Sequence, residues 1–152
     1  GAKEAGDGWL LIADADQILY ANSDIWRGML TSWEVDSWGI PLYDCWDGMD
    51  QARVDGFWQG YKIARPWLFR PSCQKDSPNW NGRGLHCGHA PHNYPYLMGI
   101  PPTGIFWKHY GWLKASDRQA KYQRYMAQQS HLSPFERRHL ESVLDHDSPA
   151  HT

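Results

Sequence analysis

Cysteine is scarce in this chain: Cys45, Cys73 and Cys87 are the only three among 152 residues. Three cannot all pair within one chain, and their spacing matches no disulfide framework, which favours a reducing, cytoplasmic setting over a stapled secreted domain. Long apolar runs are missing too. Nothing approaches the roughly 20 apolar residues of a membrane-spanning helix, and no secretory pattern is visible. Neither sign of charge is in excess: 15 Lys and Arg stand against 17 Asp and Glu, a formal net charge of −2. That balance removes the electrostatic case for nucleic acid or an anionic membrane surface as a partner. Internal repeats and low-complexity segments are absent, which excludes repeat architectures.

What the chain does have is aromatics, with ten Trp and eight Tyr. Many adjoin Gly, Pro or Asp rather than sitting in periodic apolar runs, which suits either a recognition surface, sugar faces included, or an irregular core of large side chains. The length suits a single domain, residues 1–152, with 146–152 as a frayed tail. Residues 1–8 are small and polar, and Gly1 is not an initiator Met, so the chain reads as a piece of something longer.

The organising stretch is Trp9 to Asp16. Trp9 to Ala13 is a continuous apolar run, the pattern of a strand covered on both faces in a mostly parallel sheet. It runs into Asp14 and Asp16. Ligands of open α/β sheets bind at the carboxyl ends of strands, and two carboxylates spaced i, i+2 can face one hard cation, Mg²⁺ or Mn²⁺. The plainer alternative is a polar turn.

Further on, Asn22-Ser23-Asp24 offers N-cap chemistry for a helix from Asp24 to Trp33. Gly39 to Trp46 reads as a strand, with Asp44, Asp47, Asp50 and Asp55 around its end. Such an acidic cluster is either a solvated loop or the source of a general base for a hydroxyl. Short strands are expected between Gly56 and Arg70, a loop from Pro71 to Gly84, and a strand from Ile105 to Tyr110. Ser116-x-x-Gln119 and Ser133-Pro134-Phe135-Glu136 are capping boxes that predict two C-terminal helices. Leu140, Val143 and Leu144 give the second one an apolar stripe.

His86, Cys87, His89 and His92 lie close in sequence, but their spacing fits no standard structural zinc pattern. Arg118, Lys121 and Arg124 recur on one side of the first C-terminal helix, as a solvated stripe or as cations facing a diphosphate.

The order of these pieces resembles the C-terminal half of a family 2-like glycosyltransferase with the GT-A fold. The pieces are Asp14-x-Asp16 after a strand, Leu68-Phe69-Arg70, Trp80-x-Gly82-x-Gly84-x-His86, His109-Tyr110-Gly111-Trp112, and Arg118-x-x-Lys121-x-x-Arg124-Tyr125. The resemblance spans roughly Gly8 to Asp145. It implies an α/β fold: a partial GT-A-like mixed sheet with two C-terminal helices, its nucleotide-binding half missing or supplied by another chain. It implies Asp14, Asp16 and His109 as ligands of Mn²⁺ or Mg²⁺. His86, Trp112, Arg118 and Lys121 would line the substrate, a nucleotide-sugar donor with a glycan or other hydroxyl acceptor. The implied activity is metal-dependent sugar transfer with inversion. Gln17 and Cys87 stand where such proteins often have Glu, so base candidates are limited to Asp44, Asp47 and Asp55.

A competing reading is a PAS-like sensory or small-molecule binding module, because Leu10 to Asn22 resembles the opening strand, turn and strand of that fold. It requires those residues to form a hairpin. Half of a metal-dependent 5′-nuclease would also open with a strand ending in Asp, but it would need a basic surface.

Overall fold

A computed structural model describes residues 8–74, 76–80, 90–93, 97–128, 133–145 and 150–151. The fold is mixed α/β. Nine strands are described: β1 (Leu10–Leu11), β2 (Gln17–Ala21), β3 (Ser37–Ile40), β4 (Leu42–Asp44), β5 (Ala52–Arg53), β6 (Arg65–Phe69), β7 (Met98–Gly99), β8 (Ile105–His109) and β9 (Ala150–His151). Three α-helices accompany them: α1 (Ser23–Thr31), α2 (Ala115–Gln128) and α3 (Pro134–Ser142). The sheets run β1-β6-β3-β7, β2-β8-β4 and β5-β9. Where one domain was expected, the residues fall into two compact units. The first includes Leu19–Pro41 and Ala64–Phe106; the second includes Asp16–Ile18, Leu42–Ile63 and the chain from Trp107 on.

In the first unit β6 pairs antiparallel with both β1 and β3, and β7 pairs parallel with β3. The expected strand at Trp9–Ala13 is thus shorter, lies at a sheet edge and runs antiparallel, although Ile12 N–H still donates to Trp67 O. An edge position leaves Leu11 exposed, which an apolar run cannot reveal by itself. Because β1 pairs with β6 and β2 belongs to another sheet, the hairpin required of a PAS-type module is not formed.

Asn22 caps α1 as expected, its side chain accepting from the N–H groups of Asp24 and Ile25. The helix stops at Thr31, two residues short of Trp33. Trp9 Nε1 donates to Leu30 O and Trp38 Nε1 to Met29 O, which also accepts from Ser32 N–H, so two indoles bond to carbonyls of the last helical turn. Met29, Ile40, Trp67, Leu68, Phe69 and Ile105 are buried in this unit. Arg70 lies between the rings of Trp9 and Trp33 and donates to Ser32 O.

The expected strand from Gly39 to Trp46 is two strands in different sheets, β3 and β4, divided at Pro41. Proline has no N–H to continue a ladder. In the second unit β4 runs parallel to β8 with Leu42 opposite Trp107, Tyr43 opposite Lys108 and Asp44 opposite His109. The core there gathers Trp46, Trp58, Trp112 and Val143, with Phe57 and Tyr125 packed against it. Trp46 stacks against two buried arginines, Arg53 at 4.6 Å and Arg118 at 4.2 Å from its ring centre. Arg53 also binds Asp55, Asp145 and Ser142 O, which docks the end of α3. Many of the tryptophans therefore serve as core, as donors to helix ends or as arginine platforms.

Of the two capping boxes, one forms. Ser133 accepts from Glu136 N while Glu136 accepts from Ser133 N, with Pro134 in the first turn. Ser133→Ala should therefore cost about 1 kcal/mol in urea denaturation without abolishing folding; an unchanged midpoint would show that the cap carries no stability. Ser116 is not a cap: α2 starts at Ala115, and its first turn is closed by Asp117 and Arg118 N–H groups on Lys114 O. Arg118 fixes that start by donating to Trp112 O and Leu113 O. The tail also differs from expectation, since Ala150–His151 pairs with Ala52–Arg53.

Candidate cation and phosphate site

The second unit brings Asp16, Asp44, His109 and Lys121 together from four separate stretches. Parallel pairing of β4 and β8 puts Asp44 and His109 opposite one another at the carboxyl ends of both strands, the place where α/β sheets bind ligands. Asp16 precedes β2, and its carbonyl accepts from Tyr110 N, just past the end of β8. Lys121 reaches in from α2, the helix that follows the turn after β8.

His109 is the hub. Its Nδ1 is 2.7 Å from Asp44 Oδ1 and its Nε2 is 3.4 Å from Asp16 Oδ2. Lys121 Nζ lies 3.1 Å from the same Asp16 oxygen and 4.6 Å from the centre of the Trp112 ring. Burial works against an imidazolium here, but hydrogen bonds to Asp16 and Asp44, with their charges, outweigh it and raise His109 to about 9. The His109 hydrogen bond holds Asp16 well below the usual carboxylate range, against burial and with help from Lys121.

Gly111 is the position on which these groups close. A side chain there would overlap Lys121 Nζ, Asp16 Oδ2 and His109 Nε2 at once. Gly111→Ala should push Lys121 off Asp16 and tilt His109, an overpacking cost of about 1–3 kcal/mol. Urea denaturation and the His109 ring resonances would check it; a stable variant with unshifted His109 resonances would show that the space is larger than it looks.

Other expected site residues have different places. Asp14 is exposed and belongs to the first unit. Asp47 sits at a left-handed φ of 57°, which Asp tolerates better than most residues, and binds Arg118 Nη2 at 2.8 Å. Asp55 binds Arg53 through both oxygens. Both carboxylates are thus committed to buried guanidinium groups, and of the three base candidates Asp44 is the one beside His109. Arg118 faces the core rather than a ligand, and Trp112 is buried in the aromatic cluster with an edge toward His109. The expected stripe of Arg118, Lys121 and Arg124 therefore divides: one residue in the core, one in the site, and one exposed beside Tyr125. His86, Cys87 and His89 lie outside the described residues; His92 is exposed. Gly111 lay within the His109-Tyr110-Gly111-Trp112 motif, which gave it no role of its own, and Arg53 had no signature in periodicity or motif; both roles come from tertiary contact.

Among the described residues no three His, Cys, Asp or Glu side chains gather as a metal cage. Asp16 and His109 form a pair instead, with Lys121 on the same Asp16 oxygen. A carboxylate suits Mn²⁺ or Mg²⁺ when phosphate oxygens complete the shell, since such cations seldom have an all-protein cage, whereas imidazole is the more usual ligand of zinc, copper, iron and nickel. Asp44 on the far nitrogen of His109 matches the carboxylate that commonly orients a ligating histidine. Within this pair the Asp16 carboxylate is the donor whose chemistry suits the implied cation. Also among the described residues, no helix is long and apolar enough to cross a membrane. Compared with protein families, curated proteins and solved structures, the chain has no match in any of the three.

Proposed function

We propose that this chain is the cation- and acceptor-side part of a metal-dependent, inverting glycosyltransferase of GT-A-like fold that uses a nucleotide-sugar donor. One observation carries the reading: Asp16, His109 and Lys121, far apart in sequence, converge at Gly111 beside the carboxyl ends of two parallel strands. The resemblance assigned Asp14, Asp16 and His109 to the cation and Arg118 and Lys121 to the diphosphate; of these five, Asp16, His109 and Lys121 are the three that lie together, while Arg118 is buried in the core.

Asp16 and His109 would hold Mn²⁺ or Mg²⁺, which when bound offsets charge on the departing diphosphate. Lys121 supplies a second positive charge on a flexible stem, able to leave Asp16 for a phosphate oxygen. Asp44 keeps the His109 ring in place. The Trp112 ring, anchored in the aromatic core, lies against the Lys121 ammonium.

Inorganic diphosphate tests the reading without requiring the nucleotide to be known. Mn²⁺ binding, followed by electron paramagnetic resonance, should strengthen when diphosphate is added. Asp16→Ala should remove binding of the cation. Lys121→Ala should leave the cation bound and weaken diphosphate about tenfold, with less than about 1 kcal/mol change in stability, as for a partly exposed ion pair. Diphosphate affinity unchanged in Lys121→Ala, or Mn²⁺ affinity unchanged in Asp16→Ala, would sink the assignment.

A further inference from the structure

His109 offers two ring nitrogens, and only a lone pair can ligate a cation. In neutral imidazole one nitrogen carries the proton and the other the lone pair, and the choice follows the hydrogen bond made by the protonated one. Here the two nitrogens have unlike surroundings. Nδ1 is 2.7 Å from Asp44 Oδ1, with both side chains largely buried, at 15% and 12% exposure. Nε2 faces Asp16 at the longer distance of 3.4 Å, where Lys121 already donates to the same oxygen. Asp44 is moreover the cross-strand partner of His109 in the parallel pair, so backbone register fixes their approach.

We propose that Asp44 is the positioning residue of this site: by accepting the Nδ1–H of His109 it selects the tautomer whose Nε2 lone pair points toward Asp16 and Gly111. Asp44 then acts through His109 and does not itself take the acceptor proton. The consequence for ligation rests on the reading of Asp16 and His109 as cation ligands; the tautomer does not. Gly60 lies against this arrangement, since a side chain there would approach Leu42 O and contact Asp44 Oδ2 at 3.8 Å. The second Asp44 oxygen therefore lies beside a position that carries no side chain.

Long-range ¹⁵N–¹H correlation on the full chain with ¹⁵N-labelled histidine reads the tautomer directly, at a pH above the His109 titration and with no metal added. The expected wild-type signal is Nδ1–H. In Asp44→Ala it should revert toward the Nε2–H form, and Mn²⁺ affinity should fall about 10- to 100-fold, the usual cost of losing such a partner. An Nε2–H signal in the wild-type chain overturns the proposal, and that measurement needs no variant, so it stands even if Asp44→Ala fails to fold. A folded Asp44→Ala with the wild-type tautomer overturns it equally. If the wild-type tautomer is Nδ1–H, and reverts in Asp44→Ala, while the wild-type chain binds no Mn²⁺, Asp44 positions His109 as proposed and the glycosyltransferase reading fails instead.

Discussion

Mn²⁺ affinity should climb about tenfold per pH unit from neutrality to the His109 titration near 9, then level off, because a proton and the cation compete for one nitrogen. At neutral pH the His109 ring carries a proton on each nitrogen, facing Asp16 and Asp44. Ligation through Nε2 must release one of them. Asp16 adds nothing to the slope, since the His109 hydrogen bond keeps it ionised throughout. Calorimetry in two buffers of different ionisation enthalpy should count close to one proton released per Mn²⁺ at neutral pH. His109→Ala should bind weakly and without the pH slope. A flat wild-type profile would remove His109 from the ligand set.

The metal-free protein should respond to pH in the opposite direction. His109 is raised from 6.5 to about 9, so the stability it contributes is complete below about 6.5 and is lost as pH rises through 9. Asp16 is lowered from 3.8, so its contribution is present above 3.8 and is lost as pH falls through its folded value. Their shared interaction is one ion pair seen from both ends and counts once. Stability without metal should therefore fall on the alkaline side, where cation binding becomes strongest.

Arg118→Ala should be the most destabilising of the substitutions considered, by about 3 kcal/mol. Arg118 is 2% exposed, stacks on Trp46, and donates to Trp112 O, Leu113 O and Asp47. Bonds from a charged donor to carbonyls contribute about 1.5–3 kcal/mol, and the stacked cation about 1 kcal/mol more. The Asp47 pair adds little, because that carboxylate is half exposed. For a chain of this size the loss lowers Tm by about 10 °C. Arg124→Ala, on the exposed side of the same helix, should stay within about 0.5 kcal/mol. If the two variants melt together, Arg118 does not fix the start of α2. Loss of ligand binding in Arg118→Ala would report this structural role, not a contact with phosphate.

Local signals were legible where one residue's chemistry decides the outcome. Asn22 and Ser133 cap helices because their oxygens fall within reach of nearby N–H groups whatever the rest of the chain does. The apolar spacing of Leu140 and Val143 places both in contact with core whatever that core is. Ser116 shows the limit of the same logic: an equally good box fails because Arg118, held by the core, sets the helix start.

The sequence by itself determined a mixed α/β chain with two C-terminal helices, and it put Asp16, His109 and Lys121 among a longer set of candidates that also held Asp14, Trp112 and Arg118. It could not determine which cation of the Arg118, Lys121 and Arg124 series turns inward, nor that Asp44 pairs with His109 while Asp47 and Asp55 bind arginines. Those outcomes depend on strand order and register: a parallel pair with Asp44 opposite His109, and a break at Pro41 that sends β3 and β4 into different sheets. Periodicity fixes which residues share a face, whereas pairing between distant strands fixes which faces meet. The second is a choice among long-range contacts that no short window of sequence contains.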